Sequence, residues 1–149
     1  MKILKNDIIT IAVDFDGTLC EDAFPEIGEP KRFIINYVKR LAENGAKIIL
    51  HTCRENVPER AFLTEAVWFC RDNEIPLDGV NENPFSPYSK LYNAPPSRKL
   101  YADIYIDDKA VNVAVLERVY KEHKSISNYV ESLSTRIKEN LTENLENLI

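Results

Sequence analysis

The sequence predicts an α/β fold, an open, doubly wound, mostly parallel sheet with helices on both faces. Three observations predict it. Short β-branched runs alternate along the chain with stretches of helical period. The clearest run, "DIITIAV", is apolar nearly throughout, as expected of a strand buried on both faces. Three of the four runs end in reactive side chains: Asp14 and Asp16, His51 and Thr52, Asp107 and Asp108. In sheets of this kind function gathers beyond the carboxyl ends of the strands.

The elements follow in order. "DIITIAV" (7–13) is the first strand. From Pro30, "PKRFIINYVKRLAEN" places Phe33, Ile34, Tyr37, Val38 and Leu41 on one helical stripe, with Pro30 in the first turn and Gly45 closing the end. "AKIIL" (46–50) is the second strand. "NVPERAFLTEAVWFCRDN" reads as a helix that starts at Asn56 and Pro58 and takes its period from Ala61, Phe62, Glu65, Ala66, Phe69 and Cys70. "PLDGVN" (76–81) suits a short third strand, and 82–99, with four prolines, a loop. "ADIYID" (102–107) is the fourth strand, and "AVNVAVLERVYKEH" (110–123) a helix with Val111, Val115 and Val119 along one side. The organisation expected is one α/β domain over 1–124 and a separate amphipathic helix over 125–149. In that tail Ile126, Val130, Leu133, Ile137, Leu141, Leu145 and Leu148 recur at three- and four-residue steps. Such a stripe needs a cover, either its own domain or a second copy of the chain in a homo-oligomer.

Composition narrows the function. The chain has 149 residues, 44% hydrophobic and 29% charged, enough for one domain with a full core. A net charge of −5 argues against a clamp for DNA or RNA. No run approaches the roughly 20 apolar residues of a membrane span, and no signal-peptide pattern opens the chain. Cys20, Cys53 and Cys70 form no metal-type pair; free thiols in a reducing cytoplasm are expected.

The acids are the informative feature. A lone Asp at a turn means little. Four carboxylates (Asp14, Asp16, Asp107, Asp108) directed at one edge repel one another unless a cation sits among them. Oxygen donors alone suit Mg²⁺, which takes one or two carboxylates, waters and substrate phosphate. No His or Cys cluster argues for zinc. An EF-hand counted from Asp14 would have Leu19 and Pro25 where Gly and Glu are needed. Glycines occur only at 17, 28, 45 and 79, so there is no phosphate-cradling P-loop.

"VDFDGT" (13–18) resembles motif I of the haloacid dehalogenase (HAD) superfamily of phosphohydrolases, an apolar strand followed by DxDGT. Thr52 in "IILHTCRE" resembles its second motif, and Asp107 with Asp108 in "IYIDDKA" its fourth. The resemblance covers about residues 7 to 120 and implies a Rossmann-like HAD fold and Mg²⁺-dependent hydrolysis of phosphate monoesters on a small phosphorylated substrate. It implies that Asp14 is the nucleophile that becomes an aspartyl phosphate and that Asp16 protonates the leaving oxygen and then activates water. Mg²⁺ would be held by Asp14, the backbone carbonyl of Asp16, and Asp107, with Asp108 nearby. Thr52 would hydrogen-bond a phosphoryl oxygen.

A lysine should complete the cradle, and two compete. Lys99, in "SRKLYADIYIDD", lies where the resemblance favours it. Eight residues from Lys99 to Asp107, extended at about 3.3 Å each, would instead put it at the far end of the strand. Lys90, 17 residues before Asp107, leaves chain enough to return to the active edge. "TCRE" (52–55) is similar to the "SGRE"-like stretch of polynucleotide 3′-phosphatases in the superfamily. That makes Arg54 a candidate substrate contact, with a salt-bridged loop residue as the alternative. Cys53 beside it is a substrate-side residue or a small buried packing residue. His51 is expected to be structural, His123 exposed, and Trp68 and Phe69 part of a helix core.

Only "LCEDAFPEIGEP" (19–30) separates motif I from the next helix, and 82–99 is too short for a folded domain, so a capless member is expected. An open site suits a macromolecular substrate or a lid supplied by a partner subunit. Two non-enzymatic readings compete: a response-regulator-like phospho-acceptor and a scaffold that binds phosphoryl groups without turnover. Receivers place their acceptor after the third strand, whereas here the acids bracket the chain.

Overall fold

The computed structural model describes residues 8–88 and 98–123. Its contacts divide the chain into two compact units, 1–108 and 109–149. The first contains a four-stranded sheet of β1 (Thr10–Val13), β2 (Lys47–Leu50), β5 (Gly79–Val80) and β6 (Ile104–Ile106), in the order β5-β2-β1-β6 with every neighbouring pair parallel. All four strands therefore present their carboxyl ends at one edge. The strands are shorter than their apolar runs: Ile9 is outside β1 and exposed, although its carbonyl still accepts the Lys47 N–H at 2.9 Å.

Alternation along these strands sorts the core. Ile11, Val13 and Phe15 point to the face that also receives Ile48 and Leu50, and there they meet Ile35 and Val38 of helix α1 (Arg32–Glu43) and Ala66 and Cys70 of helix α2 (Phe62–Asp72). Helices α1 and α2 thus cover the same face. On the opposite face Ala12 and Ile49 are covered by Leu100 and Ala102, from the segment leading into β6. The second unit contributes helix α3 (Val113–His123), whose start is set by Asn112: its Oδ1 accepts the Ala114 N–H at 2.9 Å.

Several expected boundaries shift for identifiable reasons. Helix α1 begins at Arg32, because Pro30 is instead bridged to Cys20 and the Lys31 N–H is bonded to the Leu19 carbonyl. It ends as expected at Gly45 (φ +95°): the Gly45 N–H reaches Ala42 O and the Ala46 N–H reaches Leu41 O, closing the last turn. Its buried stripe runs through Ile35 and Val38, flanked by Ile34, Leu41 and Ala42, while Phe33 and Tyr37 face outward at 80% and 51% exposure. The second helix starts at Phe62, not Asn56. Residues 56–61 form a two-stranded hairpin, β3 (Asn56–Val57) against β4 (Arg60–Ala61), with Pro58 in the turn. Asn56 still serves the helix, since its Oδ1 accepts the Leu63 and Thr64 N–H groups at 3.0 and 3.1 Å. Phe69 packs edge-on against Phe15 with ring centroids 5.2 Å apart, but Trp68, expected in the core, is 52% exposed. The tail 125–149 lies outside the described residues.

Among the described residues no inserted cap domain occurs, and no helix is long and apolar enough to cross a membrane. The 19–30 loop and the β3–β4 hairpin are tied together instead. Arg60 pairs with both oxygens of Glu26 (2.8 and 3.0 Å) and of Glu65 (2.8 and 3.0 Å), and Phe24 stacks obliquely on Phe62 at 5.4 Å.

Candidate active site

At the end of β1 the Asp14 N–H bonds to the Ile106 carbonyl at 2.9 Å, and the His51 N–H bonds to the Val13 carbonyl at 2.8 Å. These two bonds hold the ends of β6 and β2 against the end of β1. Asp14, Asp107 and Asp108 each direct a carboxylate oxygen into one cluster, all within 4.8 Å of one another. Burial raises the Asp14 pKa from 3.8 to about 6, and the neighbouring Asp107 charge adds to the rise.

The turn after β1 is shaped around Asp108. Gly17 has φ +84°, and a Cβ there would lie 2.8 Å from Cγ of Asp108, so this position requires glycine twice over. Thr18 links the two acids. Its hydroxyl lies 3.2 Å from Asp14 Oδ2 and 3.4 Å from Asp108 Oδ1, and can donate to one at a time; its oxygen accepts the Asp108 N–H at 3.1 Å. The Lys31 ammonium donates to the Gly17 carbonyl at 2.9 Å. The roles of Thr18 and Lys31 were not anticipated. Thr18 had a signal in the final residue of "DFDGT"; Lys31 had none, because its contact depends on how the 19–30 loop returns.

Asp16 has a different environment. Its carboxylate lies outside the three-acid cluster and is gripped side-on by Arg54, with Nε to Oδ2 and Nη2 to Oδ1 both at 2.7 Å. The Arg54 guanidinium also donates to the carbonyls of Pro25 (3.3 Å) and Glu26 (2.8 Å). Its Cζ lies over the rings of Phe15 and Phe24, 5.2 and 5.0 Å from their centroids. Arg54 thus occupies the place of a salt-bridged loop residue.

Thr52 begins the loop that carries Arg54. Its N–H bonds to Asn81 Oδ1 at 2.9 Å, and its hydroxyl oxygen accepts the Arg54 N–H at 3.1 Å. Cys53 is exposed, contrary to its reading as a buried packing residue; Cys20 and Cys70 are buried, and all three thiols are free. His51 keeps a buried Nδ1 with no hydrogen-bond partner among the described residues. Lys99 does not lie at the far end of an extended strand. The chain folds back so that Leu100 packs on the sheet, the Tyr105 hydroxyl donates to the Leu100 carbonyl, and the Lys99 ammonium sits 5.8 Å above the Tyr105 ring. Tyr105 is two residues before Asp107 in the sequence. Lys90 lies outside the described residues.

No protein-family model matches the chain, and no curated protein does. A solved structure does match: a conserved protein from Bacteroides thetaiotaomicron, 33% identical, with a TM-score of 0.58 over 80% of this chain and 95% of that one. Its description names no activity. At that identity, across nearly the whole length of the other protein, the chain belongs to the same family as this conserved Bacteroides protein.

Proposed function

We propose that the protein is a capless HAD-type phosphohydrolase that cleaves phosphate monoesters of a small substrate through an aspartyl-phosphate intermediate on Asp14. The observation that carries this reading is the cluster of Asp14, Asp107 and Asp108 with oxygens within 4.8 Å of one another. Its donors fit Mg²⁺: they are all hard oxygens, and two ligands at about 2.1 Å from one ion lie at most about 4.2 Å apart, within a small side-chain adjustment of this spacing. Asp14 and Asp107 would hold the ion, with Asp108 beside them. Bound there, Mg²⁺ supplies the positive charge that lets an anionic nucleophile approach an anionic phosphate.

The protein's own residues account for the remaining steps. A carboxylate oxygen of Asp14 forms a bond to phosphorus as the bond to the leaving oxygen breaks. Asp16 gives that oxygen a proton, then takes one from the water that cleaves the acyl phosphate, which returns Asp14 and releases phosphate. Thr18, bonded to Asp14 Oδ2, would help to orient that carboxylate. Thr52 and Lys99, or Lys90 in its place, would hold the phosphoryl oxygens.

The test is release of phosphate from p-nitrophenyl phosphate with and without Mg²⁺. Asp14→Asn should lower the rate by at least about 10³-fold, the scale of losing a covalent nucleophile. A stable phosphoprotein with no turnover would favour the phospho-acceptor reading instead. Equal rates in wild type and Asp14→Asn would sink both.

A further inference from the structure

We infer that Arg54 is a positioning residue for proton transfer: it never touches the substrate, and it aims the Asp16 carboxylate at the leaving group. The inference rests on the reading of Asp16 as the acid and base of a phosphohydrolase. Its warrant is the asymmetry of the pair. The Arg54 side chain is 1% exposed and that of Asp16 is 19% exposed. The guanidinium therefore holds the carboxylate from the interior, and the open side belongs to Asp16. A substrate can reach Asp16 but not Arg54.

The clamp also fixes direction. A carboxylate on a single-bond pivot swings freely, whereas one held through both oxygens at 2.7 Å lies in the plane of the guanidinium. That plane is set in turn by the carbonyls of Pro25 and Glu26 and by the rings of Phe15 and Phe24. Proton transfer depends on heavy-atom distance and angle, so this orientation bears on rate. Lysine cannot replace it, since an ammonium is a point charge without a planar fork. Arg54 also couples Asp16 to the 19–30 loop, which the Arg60–Glu26 pair anchors to the β3–β4 hairpin. Contacts thus run from the acid through Arg54 and the loop to the hairpin.

Two substrates of nearly the same shape separate this role from a merely structural one. p-Nitrophenyl phosphate has a leaving group that departs without a proton; p-nitrobenzyl phosphate releases a strongly basic alkoxide that needs one. In Arg54→Lys, kcat/KM on p-nitrobenzyl phosphate should fall about 10²-fold, the lower end of what general acid catalysis contributes, while kcat/KM on p-nitrophenyl phosphate falls less than about 10-fold, because kcat/KM reports events up to leaving-group departure and not the later water attack that Asp16 also assists. The inhibition constant of inorganic phosphate should stay near wild type, because Arg54 makes no substrate contact. In Arg54→Ala, millimolar guanidinium should restore p-nitrobenzyl turnover and ethylammonium should not. Circular dichroism of both variants checks that they fold; if Arg54→Ala does not, the Lys variant carries the test. Equal loss of kcat/KM on the two substrates, or a rise in the inhibition constant of phosphate that matches the loss, would overturn the inference. A wild-type protein inactive on both would overturn the phosphohydrolase reading itself, and this inference with it.

Discussion

Two carboxylates two residues apart in "DFDG" live in opposite electrostatic surroundings. Asp14 faces Asp107 and Asp108 within 4.8 Å and is raised towards neutrality, whereas Asp16 has both oxygens on a buried guanidinium. Chemically identical side chains thus acquire separate roles through their neighbours. The Asp14 side is a cluster of three carboxylates, which the proposed function reads as a Mg²⁺ site. The Asp16 side already has its cation, supplied by the chain. The contrast teaches that folding alone sets the charge environment of two like groups: one carboxylate is paired with a guanidinium, the other is placed among carboxylates.

The comparison can be broken or sharpened by experiment. The largest stability effect should come from Asp16→Asn, which leaves the buried Arg54 charge without its partner. Chemical denaturation should show a loss of about 3 kcal/mol. A loss below about 1 kcal/mol would mean that the pair is no clamp. Next comes Mg²⁺, which should act on the Asp14 side alone. The folded-state pKa of Asp14, about 6, lies above 3.8, so the native state holds a proton that the unfolded chain gives up. Without metal, stability should therefore fall as pH rises from 3.8 towards about 6 and stay at the lower level above it. Saturating Mg²⁺ should raise the melting temperature by about 5 °C or more at about pH 7.5 and much less at about pH 4.5, where protons compete for the same oxygen. A shift that is equal at both pH values, or absent in wild type, would count against the cluster as the binding site.

Smaller effects refine the picture. Gly17→Ala should cost about 2 kcal/mol, because its φ of +84° disfavours a side chain and the new methyl would press on Asp108. Asp14→Asn should raise the stability of the metal-free protein slightly, by about 1 kcal/mol, since it removes one of three repelling charges and still accepts the Thr18 hydroxyl. Opposite signs for Asp14→Asn and Asp16→Asn in the same denaturation assay are the sharpest expression of the contrast.

What was legible in the sequence depended on short-range pattern. The apolar runs identified four parallel strands, and parallel strands bring their carboxyl ends to one edge whatever the loops do. This is why Asp14, Asp107 and Asp108 could be brought together on paper from opposite ends of the chain. Gly45 closed α1 as a local rule requires. Helix phase was harder to read. The stripe through Phe33 and Tyr37 was as regular as the one through Ile35 and Val38, and only packing against the sheet chose between them. Asn56 and Pro58 carry helix-start chemistry, but Arg60 found Glu26 and Glu65, and the hairpin displaced the first turn.

The strand runs, their common edge and the acids at their ends were determined by the sequence itself, because burial periodicity and the geometry of parallel connections are local and general. The partner of Asp16 was decided only by tertiary structure. Arg54 lies 38 residues away, and nothing in its spacing says that its loop turns inward to meet a carbonyl pair from 25 and 26. The position of Lys99 over Tyr105 was decided in the same way, by a chain reversal that an extended-strand estimate could not contain. Repulsion among acids can be read from their number and common direction, but its relief depends on which cation the folded chain brings within 3 Å, and that is a property of the path.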